Sequence, residues 1–197
     1  MRKMIVVVLC LLLMFVGLIT TSGRAHAEDR PPPEGGVLPD IALPVPEKPE
    51  ERQYLGVDGK GTFKPSKIRA EVVIIEVFSM YCPYCQKEAP SVNELYRMID
   101  QDKEYRGKIK LIGIGAGNSP FEVDTFRNAY SVPFPLFPDM DFSLHNALGK
   151  VRTPCFIAIK INKDGSHKIV YSKVGSFGDP GSFLQLVAKP AGMKKGK

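Results

Sequence analysis

The chain has 197 residues, 44% of them hydrophobic and 24% charged, an ordinary globular composition that excludes disorder throughout and leaves room for one domain with appendages. Four cysteines are too few for a scaffold built on disulfides. The net charge of +6 overstates the folded part: Arg2, Lys3 and Arg24 fall in a leader, and Lys194, Lys195 and Lys197 in a Gly-containing basic tail at 190–197. What remains is close to balanced and carries no nucleic-acid footprint.

Residues 1–27 read as a signal peptide. Arg2 and Lys3 form a positive start, Met4 to Ile19 is almost wholly apolar, and Ala25-His26-Ala27 is a small-x-small cleavage site. The apolar run is short for a bilayer span, which needs roughly 20 residues. The alternative is an uncleaved membrane anchor. Cys10 lies inside the run behind Val8-Leu9, not behind a small residue at its end, so lipidation is discounted. Cleavage after Ala27 leaves Cys82, Cys85 and Cys155. In an exported protein, where disulfides form, an odd count means at least one thiol is free, shared or redox-active.

Residues 28–53 hold seven prolines with charges between them and read as an extended linker or spacer. The folded domain is placed at 54–189. Asp58-Gly59-Lys60-Gly61 is a turn. Val72 to Phe78 is apolar but for Glu76, as suits a strand covered on both faces. A helix starts near Pro83 and runs past Met98, with Val92, Leu95, Tyr96 and Ile99 on one face and Pro90 placed to bend it. Lys110 to Gly115 is a second buried strand and Phe121 to Tyr130 a helix. Phe134 to Phe137 is a short apolar stretch, and Phe142 to Leu148 a short helix. Cys155 to Ile161 and Lys168 to Val174 are strands joined by the turn Asn162-Lys163-Asp164-Gly165, and Pro180 to Ala188 is a closing helix. This is an α/β fold: a central mixed β-sheet flanked by helices.

Cys82-Pro83-Tyr84-Cys85 is the strongest chemical signal. Three positions apart on a first helical turn, the two sulfurs can close a disulfide ring. Cys82, at the helix N-terminus, meets free backbone N–H groups and the positive end of the dipole, which favour thiolate. Cys85 lies a turn deeper, shielded and less acidic. One sulfur then attacks a disulfide and the other resolves the mixed disulfide, with no metal or organic cofactor. The alternatives are a structural disulfide or half of a zinc site, but Cys155, His145 and His167 offer no paired ligand spacing.

Glu76 is the second signal. A carboxylate within an apolar central strand is costly unless paired or neutral, and burial raises its pKa. Beneath the thiols it can relay the Cys85 proton through a water. The alternative is an edge acid that reaches solvent. Thr153-Pro154, heading a late strand, is the third signal, since a proline there can be cis.

A strand, C-x-x-C at a helix start, Pro90 within that helix and Thr-Pro before a late hairpin together resemble the thioredoxin fold over about Tyr54 to Ala188. The leader, the segment ahead of the central strand and the extra helix–strand element after Gly115 resemble exported TlpA/ResA-type thiol-disulfide oxidoreductases. The resemblance implies that Cys82 is the nucleophile, Cys85 the resolving thiol, Glu76 the buried acid and Pro154 a cis-proline facing the pair. It also implies that Tyr81, Pro83, Tyr84, Thr153 and Pro154 meet the substrate, the Thr153 backbone pairing with its strand. Such proteins reduce protein disulfides outside the cytoplasm, including apocytochrome cysteines before haem attachment, and are recharged by a membrane electron donor.

The chain departs from that pattern. Tyr81 replaces the usual Trp, and there is no Trp at all. Pro83-Tyr84 resembles the glutaredoxin dipeptide and bears on the potential. Cys155 follows Pro154; by strand alternation it points away from Pro154 into the core as an inert thiol, the alternative being a regulatory or substrate-linked one. Gly113 to Gly117 lacks the spacing of a phosphate loop and reads as a strand end and turn. His145 and His167 read as surface residues. The expected function is extracytoplasmic or periplasmic protein-disulfide reduction, with a Dsb-like disulfide oxidant or a non-catalytic thioredoxin-like binding module as rivals. The expected partners are protein thiols and disulfides and a membrane electron donor, with a membrane tether if the leader stays.

Overall fold

A computed structural model describes residues 30–193. The leader and Lys194, Lys195 and Lys197 of the basic tail lie outside the described residues. Among the described residues no helix is long and apolar enough to cross a membrane.

The sheet is built around β3, Val72–Phe78, whose seven residues are all buried. β3 pairs in parallel with β4, Ile109–Ala116, and β4 with β5, Leu136–Asp139; on its other side β3 pairs antiparallel with β6, Cys155–Ile161, and β6 with β7, His167–Val174. The order β5-β4-β3-β6-β7 puts β3 at the centre, so both its faces must be covered, as its unbroken apolar run requires.

Alternate residues of β3 face two separate cores. Val72, Ile74 and Phe78 meet Cys85, Val92, Leu95 and Ile99 of α2, Pro83–Gln101, together with residues of α3, Pro120–Tyr130, and α5, Pro180–Ala188. Helix α2 buries Cys85, Glu88, Ala89, Val92, Leu95 and Ile99, the 3.6-residue stripe of a helix packed on a sheet. Glu76 belongs to this face by alternation.

The opposite face holds Val73, Ile75, Val77, Ile157 and Ile159, and its cover corrects a reading of the sequence. The segment expected as a spacer over 28–53 packs here from about Gly35 onward. Leu38, Ile41 and Leu43 are buried, and Leu43 in β1, Leu43–Pro44, pairs with Phe63 in β2, Thr62–Phe63. The Gly35 N–H donates to Ile169 O and the Ile169 N–H to Gly36 O, extending the sheet edge. Helix α1, Pro49–Leu55, follows, with Pro at its start, Glu50 and Glu51 in its first turn and left-handed Gly56 (φ 67°) as its cap. The prolines that resemble a linker also hold the chain extended at low entropic cost, so a few apolar side chains suffice to dock it. The domain therefore starts upstream of Tyr54.

The short helix α4, Ser143–Ala147, is held by the Asp139 carboxylate, which accepts from the N–H groups of Leu144 (2.9 Å) and His145 (2.8 Å). His145 and His167, expected at the surface, are not fully exposed. Both are half-buried, and the His145 ring bonds through Nε2 to Val151 O at 2.8 Å.

Candidate active site

The loop between β3 and α2 carries the cysteine motif and is clamped from both sides. Asn118, fully buried in the β4–α3 connection, accepts the Met80 N–H on Oδ1 at 2.9 Å, and Gln86 Nε2 donates to Met80 O at 2.7 Å. The Cys82 N–H donates to Ser79 O at 3.0 Å. Sequence reasoning missed Asn118. Its only signal is a polar side chain directly after the glycine-rich strand end, where Gly117 turns the chain at φ 66°.

Cys82 is the N-cap of α2, half exposed, and its sulfur accepts the Cys85 N–H at 3.4 Å while its S–H donates to Thr153 O at 3.3 Å. Partial burial works against its thiolate, but hydrogen bonds from the Thr153 side chain, from Cys85 and from the Tyr84 backbone outweigh it and lower the pKa. Cys85 is fully buried and pushed the other way: burial first, then Cys82 and the nearby Glu76 charge, hold it as a thiol against hydrogen bonds from Ser79 and Thr153. Cys82, Cys85 and Cys155 are free thiols.

Glu76 is 4% exposed, and its Oε1 has no hydrogen-bond partner among the described residues. It sits in the central strand opposite Gly113 and Phe156, so it is not an edge acid. Burial raises its pKa to about 8, helped by the negative charges of Glu88 and Cys82. Glu88 is a second buried acid that sequence reasoning missed. It lies one turn after Cys85 on the buried stripe of α2 and accepts the Phe177 N–H on Oε1 at 3.2 Å. An acid on an otherwise apolar helical stripe is the signal that could have found it.

The Thr153–Pro154 peptide is cis and stands beside Cys82, with Pro154 O accepting the Gly175 N–H at 2.8 Å. Around the sulfur the surface is aromatic: Tyr81 is 66% and Tyr84 75% exposed, and Pro83 is exposed. The Tyr81 hydroxyl donates to Glu122, which also completes a capping box with Ser119 at the start of α3. Two hollows flank the Thr153 loop, of about 520 and 460 Å³; Arg152 and Thr153 line both.

Cys155 lies on the other face of the sheet, fully buried among Ile157, Ile159 and Val77, and burial alone pushes its pKa to about 12. Gly113 and Gly115 are strand residues of β4 and hold no ligand loop.

A C-x-x-C at a helix start, a buried acid beneath it and a cis-proline beside it, on this five-stranded sheet, match a known pattern. The sequence model of the AhpC/TSA family covers residues 35–172. The chain belongs to that family, within the thioredoxin superfamily. The match starts inside the proline-rich segment, in keeping with its packing on the sheet. ResA of Geobacillus thermodenitrificans, a thiol-disulfide oxidoreductase, is 26% identical over 162 residues, spanning 82% of each chain. ResA of Bacillus anthracis is 28% identical over 109 residues, 55% of this chain and 57% of that one. Among solved structures, StoA of Bacillus subtilis superposes with a TM-score of 0.53 at 18% identity, covering 77% of this chain and 98% of that chain. A thiol:disulfide interchange protein of the thioredoxin family from Chlorobium tepidum gives 0.54 at 20% identity, covering 82% and 97%. Family, fold and relatives support a redox enzyme of the thioredoxin kind.

Proposed function

We propose that this chain reduces protein disulfides outside the cytoplasm, with Cys82 as nucleophile and Cys85 as resolving thiol. The observation that carries the reading is the opposed ionisation of two neighbouring sulfurs, Cys82 lowered by hydrogen bonds and Cys85 raised by burial. The Cys82 thiolate attacks one sulfur of a partner disulfide, forming a Cys82–partner disulfide and expelling the other partner sulfur, which takes up a proton. Cys85 then passes its proton, through a water, to the ionised fraction of Glu76, and its thiolate attacks the Cys82 sulfur. The second partner thiol leaves, and a Cys82–Cys85 disulfide remains: two electrons have moved from this dithiol to the partner. A membrane electron donor would restore the dithiol. Tyr81, Pro83 and Tyr84 would wall the partner, and the Thr153 backbone and Pro154 would align its strand. The export-signal pattern of residues 1–27 supports the location, and exported relatives of this type make apocytochrome cysteines a candidate substrate.

Insulin reduction by wild type and Cys82→Ser tests the chemistry. Loss of turnover in the variant supports it, and equal rates would leave only a binding module. The reduction potential tests direction: a value near about −270 mV fits a reductase, and one near about −120 mV would make the chain a Dsb-like oxidant.

A further inference from the structure

The larger hollow beside Cys82 has a charge pattern that the exchange chemistry does not use. It is about 520 Å³ in volume and ends at Thr153, whose carbonyl oxygen touches the Cys82 sulfur. A polypeptide that delivers a disulfide to that sulfur therefore lies beside the mouth of this groove. Tyr84 gives it an apolar wall. Two exposed cations frame it from separate elements, Lys87 on α2 and Arg152 just before the cis-proline. Neither side chain has a hydrogen bond or ion pair with another described residue. The acid that lines the groove, Glu88, is buried and has one oxygen occupied by the Phe177 N–H. The groove thus presents two cations without an ion pair among the described residues to whatever enters.

Resting on the reductase reading above, we propose that this groove selects polypeptides bearing acidic side chains next to their disulfide cysteine, with Lys87 and Arg152 as the specificity-determining residues. Opposite charges raise encounter and fix register, and a basic flank meets two like charges at the same place. Arg152 also lines the second hollow, on the far side of Thr153, so it meets the substrate whichever way the chain runs.

The test uses two disulfide peptides identical except for Glu or Lys on both sides of the cysteine, with neutral 2-hydroxyethyl disulfide as a third substrate. The ratio of the acidic to the basic peptide's second-order rate is read within each protein, so a general loss of folding or thiol reactivity cancels. In wild type the ratio is expected to be about tenfold at low salt and to shrink as salt rises. The double variant Lys87→Glu/Arg152→Glu is expected to invert it; Lys87→Gln/Arg152→Gln, which removes both charges and keeps the positions polar, brings it near one. A wild-type ratio near one with brisk reduction of the neutral disulfide would overturn this inference and leave the reductase reading standing. So would a tenfold ratio that both variants preserve. No reaction with any of the three disulfides would remove the reductase reading and this inference with it.

Discussion

The two faces of the central sheet carry different burdens. On the face under α2, the strand that packs Val72, Ile74 and Phe78 also buries Glu76 without a full set of hydrogen-bond partners, close to Cys82 and Cys85. On the other, every β3 side chain is aliphatic, and the buried thiol there, Cys155, has no second sulfur or acid beside it among the described residues. Both faces hold a buried cysteine with a raised pKa, yet of the two only Cys85 lies beside another cysteine, Cys82. Burial makes a thiol inert; a partner sulfur and a proton acceptor turn it into a resolving thiol. On the proposed exchange chemistry, the helical face gives up stability for reactivity, and the face covered by the N-terminal segment supplies stability alone.

If that division is right, substitutions on the two faces should separate stability from rate. The largest stability effect is expected at Leu43, fully buried under the sheet by the proline-rich segment. Leu43→Ala should cost about 2–5 kcal/mol in chemical denaturation, with insulin-reduction rate per folded molecule unchanged. A true spacer would lose almost nothing.

Glu76→Gln should do the reverse. The carboxyl titrates near 4.5 when unfolded and about 8 when folded. Between those values the native state binds more protons than the unfolded one, so stability falls as pH rises from about 4.5 to 8 and levels off above. Glu76→Gln removes that loss, so relative to wild type it should gain on the order of a few kcal/mol between pH 5 and pH 9, read by denaturation at both. The same variant should slow resolution of the mixed disulfide about 100-fold and abolish the rise in rate through about pH 8. An unchanged pH–rate profile would place the proton elsewhere.

Smaller effects sharpen the same contrast. Asn118→Ala removes the acceptor of the Met80 N–H and should cost about 1–3 kcal/mol. It should also raise the Cys82 pKa, measurable by thiolate absorbance, because the loop that aims the sulfur loosens. Cys155→Ala should cost only about 1 kcal/mol and leave insulin reduction as it was. A fall in rate there would give Cys155 a role that its face of the sheet denies it.

The helical half of this architecture was legible in the sequence because its signals are local. The apolar run at Val72, the cysteines at a helix start and the turn at Asn162 each declare themselves within a few residues, and the observed β6 and α5 keep the boundaries read from sequence. The other half was misread because Leu38, Ile41 and Leu43 are three apolar side chains in a proline-rich stretch, too few to sustain a 2- or a 3.6-residue period, and the segment's partners lie far along the chain, Phe63 for Leu43 and Ile169 for Gly35 and Gly36. Glu76 stood out as a charge inside an apolar strand. Asn118 and Glu88 did not, since their roles depend on Met80 and Phe177, which only the folded chain brings near.

The opposed ionisation of the two sulfurs is tested most directly by alkylating the reduced protein with iodoacetamide across a pH series and reading each cysteine peptide by mass. Cys82 should be modified with a midpoint below that of an ordinary cysteine, while Cys85 and Cys155 stay unmodified until far more alkaline pH. Equal midpoints for Cys82 and Cys85, or modification of Cys85 first, would contradict the account.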